Sequence, residues 1–143
     1  MAEALLLDTS AVLAATERNN HEVQRIISGH GEPSIRSLFV LGELLHGVGV
    51  ATVRSVRRDR QQTVNFYEKI TGLAHGSSID LLAKLYGQVS ATATGSGLRV
   101  GMNDRWIVAE AALHMARLVT CDGAQLELAR QFGCETIYVA EPS

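Results

Sequence analysis

The stretch ALLLDTSAVLAA, Ala4 to Ala15, decides the fold. Leucines lead into Asp8, Thr9 and Ser10, and a second apolar run follows at helical spacing. A short apolar run ending in a turn reads as a buried strand. A carboxylate directly after it stands where open α/β sheets bind their ligands, beyond the carboxyl ends of the strands. The strand, Glu3 to Asp8, has two counterparts of the same build, RLVTCD at Arg117 to Asp122 and ETIYVA at Glu135 to Ala140. PSIRS, Pro33 to Ser37, is a fourth, shorter candidate. Between them lie helical patterns: SAVLAATE, HEVQRIIS, SLFVLGELLHGV, a long polar stretch through Ile70, DLLAKLYGQVSA, DRWIVAEAALHMA and AQLELARQF. Strands alternating with helices predict an α/β sandwich around a mostly parallel sheet.

Composition narrows what such a sandwich does. The chain has 143 residues, 46% of them hydrophobic, which suits one domain spanning 1–143. With 13 basic against 15 acidic residues the net charge is −2, so nucleic-acid binding would rest on a local patch and not on overall charge. No apolar run reaches the roughly 20 residues that span a bilayer, and no basic stretch leads into a signal segment, so a cytosolic protein without membrane contact is expected. Cys121 and Cys134 form no CxxC pair and read as reduced, partly buried thiols. His21, His30, His46, His75 and His114 are scattered without an HExxH pattern, which argues against zinc. GSGLRVG, Gly95 to Gly101, follows a helical pattern instead of a strand and lacks the GK[ST] ending of a phosphate loop. It reads as a flexible connection.

Four acids carry the chemistry. Asp8 and Asp122 follow strands; Asp104, in VGMNDRWIVAEAA, sits where a loop enters a helix. Glu43 is the one acid in SLFVLGELLHGV, a segment so apolar that the helix must be largely buried. Each has a structural alternative: Asp8 and Asp104 can cap helices, Asp122 before Gly123 can mark a turn, and Glu43 can occupy a narrow exposed stripe. If all four converge, their mutual repulsion makes sense chiefly with a cation to neutralise it. All-oxygen ligands select a hard ion, Mg²⁺ or Mn²⁺.

In these landmarks the chain resembles a PIN domain, and specifically a VapC-type toxin of bacterial toxin–antitoxin pairs. LLLDTSAVLA is similar to the family's opening strand with Asp8, and SLFVLGELLHGV to its S-x-x-x-x-x-E-L helix with Glu43. GMNDRWIVAEAA is similar to the N-D-x-x-I-A-x-A segment with Asp104, and LVTCDGAQLELA to the T-x-D segment with Asp122. Val108 stands where the family often has Ala, and Gln125-Leu126 where an aromatic is common. The resemblance implies a three-layer α/β/α sandwich and a Mg²⁺- or Mn²⁺-dependent endoribonuclease, leaving a 5′-phosphate and a 3′-hydroxyl. It also implies a cognate antitoxin and a homodimer. Asp8 and Asp104 would be the principal metal ligands, with Asp122 and Glu43 binding through water or orienting the nucleophile. Thr9, Ser10, Asn103 and Thr120 would position the carboxylates, or else serve as caps and turns.

The densest basic run, RSVRRDRQ, offers Arg54, Arg57, Arg58 and Arg60 at helical spacing for RNA phosphates, or for contacts with an antitoxin or a second copy, or simply as a solvated face. Arg105 and Trp106 adjoin Asp104 and are candidates to meet substrate. Two other classes compete. One is a phosphotransfer or phosphatase domain with Asp8 as nucleophile, which would need a positioned lysine; Lys69 and Lys84, the only lysines, follow no strand. The other is a catalytically silent PIN-like module that binds RNA or protein, against which the retention of all four acids argues.

Overall fold

The computed structural model describes residues 4–31, 33–72 and 79–142. Its elements run β1 (Leu5–Leu7), α1 (Thr9–Thr16), α2 (His21–Gly29), β2 (Ser34–Ile35), α3 (Leu38–Val50), α4 (Arg54–Ile70), β3 (Thr71–Gly72), α5 (Ile79–Gly95), α6 (Met102–Leu113), β4 (Arg117–Thr120), α7 (Gly123–Phe132) and β5 (Thr136–Tyr138). β4 lies between β1 and β5, parallel to both, with Leu6 opposite Leu118 and Val119 opposite Ile137. The expected α/β architecture with a parallel sheet is therefore present. All three residues of β1 are buried, as are Leu118, Val119 and Thr120 of β4. A strand buried on both pleat faces must have helices on either side, which gives the sandwich its layers.

The strands are shorter than the sequence pattern suggests, and Glu3, placed in the first of them, lies outside the described residues. PSIRS contributes only Ser34 and Ile35, and these pair not with β1 but with Thr71 and Gly72 in a separate two-stranded parallel ribbon. β3 has no strand signature in the sequence, because it is two residues directly following a 17-residue helix. Arg36 secures this ribbon, donating to Thr71 Oγ1 at 3.0 Å and to the Glu68 carbonyl at 2.7 Å. The loop after α5 bends at Gly97 (φ +68), and α7 ends on Gly133 (φ +90), the left-handed conformation that glycine adopts without penalty. Cys121 and Cys134 are free and half-buried, as expected. No helix among the described residues is long and apolar enough to cross a membrane.

Candidate active site

Asp8 emerges from β1 and is 2% exposed. Its Oδ1 accepts from the Ala11 backbone N–H at 3.0 Å, capping α1, and from Ser10 Oγ at 2.6 Å, while Thr120 Oγ1 donates to Oδ2. An ionised carboxylate has about four lone-pair positions. Three are occupied, leaving one on Oδ2 for a further partner. Burial pushes the Asp8 carboxyl above its ordinary range, more than those bonds pull it down. Ser10 and Thr120 also hold the neighbouring strand end, since Ser10 Oγ accepts from Cys121 N–H at 2.9 Å and Thr120 Oγ1 from Asp122 N–H at 3.0 Å.

The other acids arrive from three further elements. Asp122 caps α7, accepting from the N–H groups of Ala124 (2.8 Å) and Gln125 (3.2 Å), and is exposed. Glu43 is half-buried on α3, with Thr9 Oγ1 donating to its Oε1 at 2.8 Å. Asp104 is not a cap: Gly101 occupies that position on α6, and Asp104 stands in the first turn. Its carboxyl is pushed up to about 6, first by burial and then by the negative charges of Glu43, Asp8 and Asp122. Asp104 thus lies within electrostatic reach of three acids that other parts of the chain carry.

Thr9, Ser10 and Thr120 each bond one of these acids, whereas Asn103 is exposed and bonds none of them. Among the described residues no three acidic, His or Cys side chains are gathered closely enough to enclose an ion as they stand. The donor set still suits Mg²⁺, which keeps several waters and takes one or two carboxylates directly. Asp104 and the open Oδ2 position of Asp8 are the carboxylates that would supply those.

A family description, PIN domain, matches residues 5–131. The chain belongs to the PIN domain family. Solved structures of similar fold include VapBC-5 from Mycobacterium tuberculosis, described as a member of the VapBC family of toxin–antitoxin systems (22% identity, TM-score 0.69, 99% of this chain and 100% of that one). VapBC2 from Rickettsia felis, bound to a DNA fragment from its promoter, is similar at 19% identity and TM-score 0.76, over 94% of this chain and 98% of that one. VapBC-1 from nontypeable Haemophilus influenzae is similar at 16% identity and TM-score 0.71, over 94% and 97%. No curated protein sequence matches the chain.

Several residues next to the PIN acids have tasks the sequence does not announce. Arg105 donates through Nε to the Val100 carbonyl at 2.9 Å and through Nη1 to Ser90 Oγ at 2.8 Å, so its fork ties α6 to α5 instead of facing a phosphate. Trp106 stacks on Tyr86 (centroids 3.9 Å apart) and on Phe39 (5.2 Å), packing α6 against α5 and α3. The basic run divides. Arg57 donates to the Ala51 carbonyl at 2.8 Å and Arg60 to the Gly47 carbonyl at 2.6 Å, fastening α4 to the end of α3, while Arg54 and Arg58 are exposed and bond nothing among the described residues.

Two buried polar residues escape the sequence pattern altogether. Glu110 on α6, 6% exposed, accepts from Ser37 Oγ and from the Leu38 N–H at the start of α3, and burial pushes its carboxyl up to about 7. Gln125, 1% exposed, donates its amide to the Asp104 carbonyl at 3.1 Å, while its Oε1 is buried without a partner. Only an acid in an apolar helix, AEAAL, and a polar residue at a helix-core position hinted at either. A cavity of about 690 Å³ between α1 and α4 touches none of the four acids; two others, of about 320 and 580 Å³, flank Glu43.

Proposed function

We propose that this PIN domain is a Mg²⁺- or Mn²⁺-dependent endoribonuclease of VapC type, restrained by a cognate antitoxin. One observation carries the reading. Asp104 stands close enough to Glu43, Asp8 and Asp122 for their charges to add to the burial that raises its carboxyl to about 6, and a structural set of caps has no reason to gather four acids in this way. The likeness to VapBC toxin–antitoxin structures supports the antitoxin as partner.

Bound at these acids, Mg²⁺ supplies charge neutralisation and a water of lowered pKa. The chain's own groups do the rest. Asp8 is locked by Ser10, Thr120 and the Ala11 N–H, so its one open lone pair points from a fixed position. Thr9 holds Glu43 Oε1 and leaves Oε2 open to take a proton from, and orient, the attacking water. Water oxygen bonds to phosphorus, the bond from phosphorus to the 3′ oxygen breaks, and that oxygen leaves with a proton. The rival in which Asp8 attacks as a nucleophile is disfavoured by its burial and by hydrogen bonds to both of its oxygens.

The test is to incubate the antitoxin-free protein with total RNA and Mg²⁺ and to sequence the new 5′ ends. Reproducible, EDTA-sensitive cleavage that disappears in Asp8→Asn supports the reading. RNA left intact under those conditions, with binding retained, would favour the silent module.

A further inference from the structure

Asp8 and Asp104 are held by opposite means. Donors on both of its oxygens lock the Asp8 carboxylate, whereas among the described residues no hydrogen bond reaches the carboxylate of Asp104. A carboxylate that nothing holds by its oxygens takes its direction from its backbone and the rotamers that backbone allows. For Asp104 that backbone is the first turn of α6, which Arg105 fastens on one side to Ser90 of α5. On the other side stands Gln125, whose amide donates to the Asp104 carbonyl itself at 3.1 Å.

Gln125 does more than fasten two helices. It lies in the first turn of α7, and its own N–H donates to Asp122 Oδ1 at 3.2 Å. The Asp122 N–H donates to Thr120 Oγ1 at 3.0 Å, and that hydroxyl donates to Asp8 Oδ2. One run of hydrogen bonds therefore leads from Asp104 through Gln125, Asp122 and Thr120 to Asp8, and Gln125 is the step in it that joins α6 to the strand ends. The residue is also costly where it stands. Gln125 is 1% exposed, and its Oε1 is buried with no partner among the described residues. An unpaired buried amide oxygen forfeits its hydration, so a side chain of similar length without an amide would suit the core better. Leu126, Leu128 and Ala129 of the same helix are buried in that ordinary apolar way. A buried amide that bears this cost and gives its bond to the backbone of Asp104 serves the acid more than the core.

We propose that Gln125 is a positioning residue for the metal site: its side chain sets Asp104 against Asp122 and Asp8, so that a divalent ion meets carboxylates already in place. The assignment rests on the metal-dependent reading above and adds to it a residue of α7 that acts through Asp104. Partners that orient metal ligands from behind contribute to affinity without touching the ion.

The experiment separates metal affinity from stability. Gln125→Met keeps the length of the side chain and removes its amide. Mn²⁺ is the probe: it is titrated into each protein while electron paramagnetic resonance counts the free ion, and thermal unfolding in EDTA gives the stability without it. Gln125→Met should melt no lower than wild type, because the orphaned oxygen disappears together with the lost bond. It should bind Mn²⁺ about tenfold more weakly, the lower end of what such partners contribute. Gln125→Leu should show the same loss of affinity, and it carries the test if the Met variant does not fold. Gly133→Ala is the control: it strains the far end of α7, where φ is +90, and should lose stability while keeping wild-type affinity. Unchanged Mn²⁺ affinity without the Gln125 amide, or an equal loss in Gly133→Ala, overturns the proposal and leaves the metal site standing. A wild-type protein that binds no Mn²⁺ removes the metal site itself, and the role of Gln125 with it.

Discussion

Glu110 offers the most quantitative test of this structure. Its carboxyl sits in the core between α6 and the start of α3, and burial moves it from 4.5 to about 7 even though Ser37 and Leu38 donate to it. Between these two values the unfolded chain has released the proton and the folded chain still holds it. Stability therefore falls as pH rises through this window, and the loss is complete above about pH 7. The interval corresponds to about 3 kcal/mol, a substantial share of the 5–15 kcal/mol typical of a domain.

Replacing Glu110 with Gln keeps the shape and removes the titration. Urea unfolding of both proteins at pH 5 and pH 8, in EDTA, isolates the group, because Asp8, Asp104 and His114 titrate alike in each. The stability difference should move by about 2.5 kcal/mol in favour of Glu110→Gln between the two pH values, a little less than the whole interval because the unfolded carboxyl is already mostly ionised at pH 5. Parallel curves would mean that the N–H and hydroxyl donors at the start of α3 keep the carboxylate ionised at its ordinary value, and the account of this buried acid would be wrong. A shift in the opposite direction would show that the ionised form is the one the fold prefers.

Other outcomes follow from the same geometry. Asp104→Asn should melt higher than wild type in EDTA, because it removes a charge that three neighbouring acids repel; Mg²⁺ should stabilise wild type and this variant much less, and calorimetry with and without the ion checks both. Arg57→Ala should cost about 1 kcal/mol through its lost bond to the Ala51 carbonyl, measured by denaturant unfolding. Arg54→Ala and Arg58→Ala should leave stability unchanged and lower the salt slope of RNA binding by roughly one unit each if they track phosphates; an unchanged slope with antitoxin binding lost would place them at the partner surface. Gly133→Ala should destabilise by about 1 kcal/mol in thermal unfolding, because φ +90 is strained for any residue with a Cβ.

Much of the fold is legible because its signals are local. LLLD and RLVTCD declare buried strands with an acid at the exit, and β1 and β4 lie side by side as those runs require. The order of Asp8, Glu43, Asp104 and Asp122 is likewise readable, and their mutual electrostatic influence follows once the parallel strands set Asp8 and Asp122 at the same sheet edge. What escapes the sequence is whatever depends on partners distant along the chain. Ser34 and Ile35 find Thr71 and Gly72 across a helical hairpin, a pairing in which neither side has enough residues to show a period.

The arginines make the same point about function. Arg57, Arg58 and Arg60 are equivalent as letters, yet α3 ends where its final carbonyls can take Arg57 and Arg60, and only Arg54 and Arg58 are left unbonded within the basic run. Arg105 and Trp106 adjoin Asp104 in sequence and are nevertheless engaged with α5, because successive helical residues project about 100° apart and do not share a face. Proximity to a site in the chain is therefore a poor guide to proximity in space on a helix, whereas spacing of three or four is a good one. His46 stands three residues after Glu43 and Phe39 four before it, and both line the cavity at that carboxylate. By this rule the side chains that share a carboxylate's surroundings on a helix are found one turn away from it, which is why Phe39 and His46, and not Leu44, supply side chains to this cavity beside Glu43.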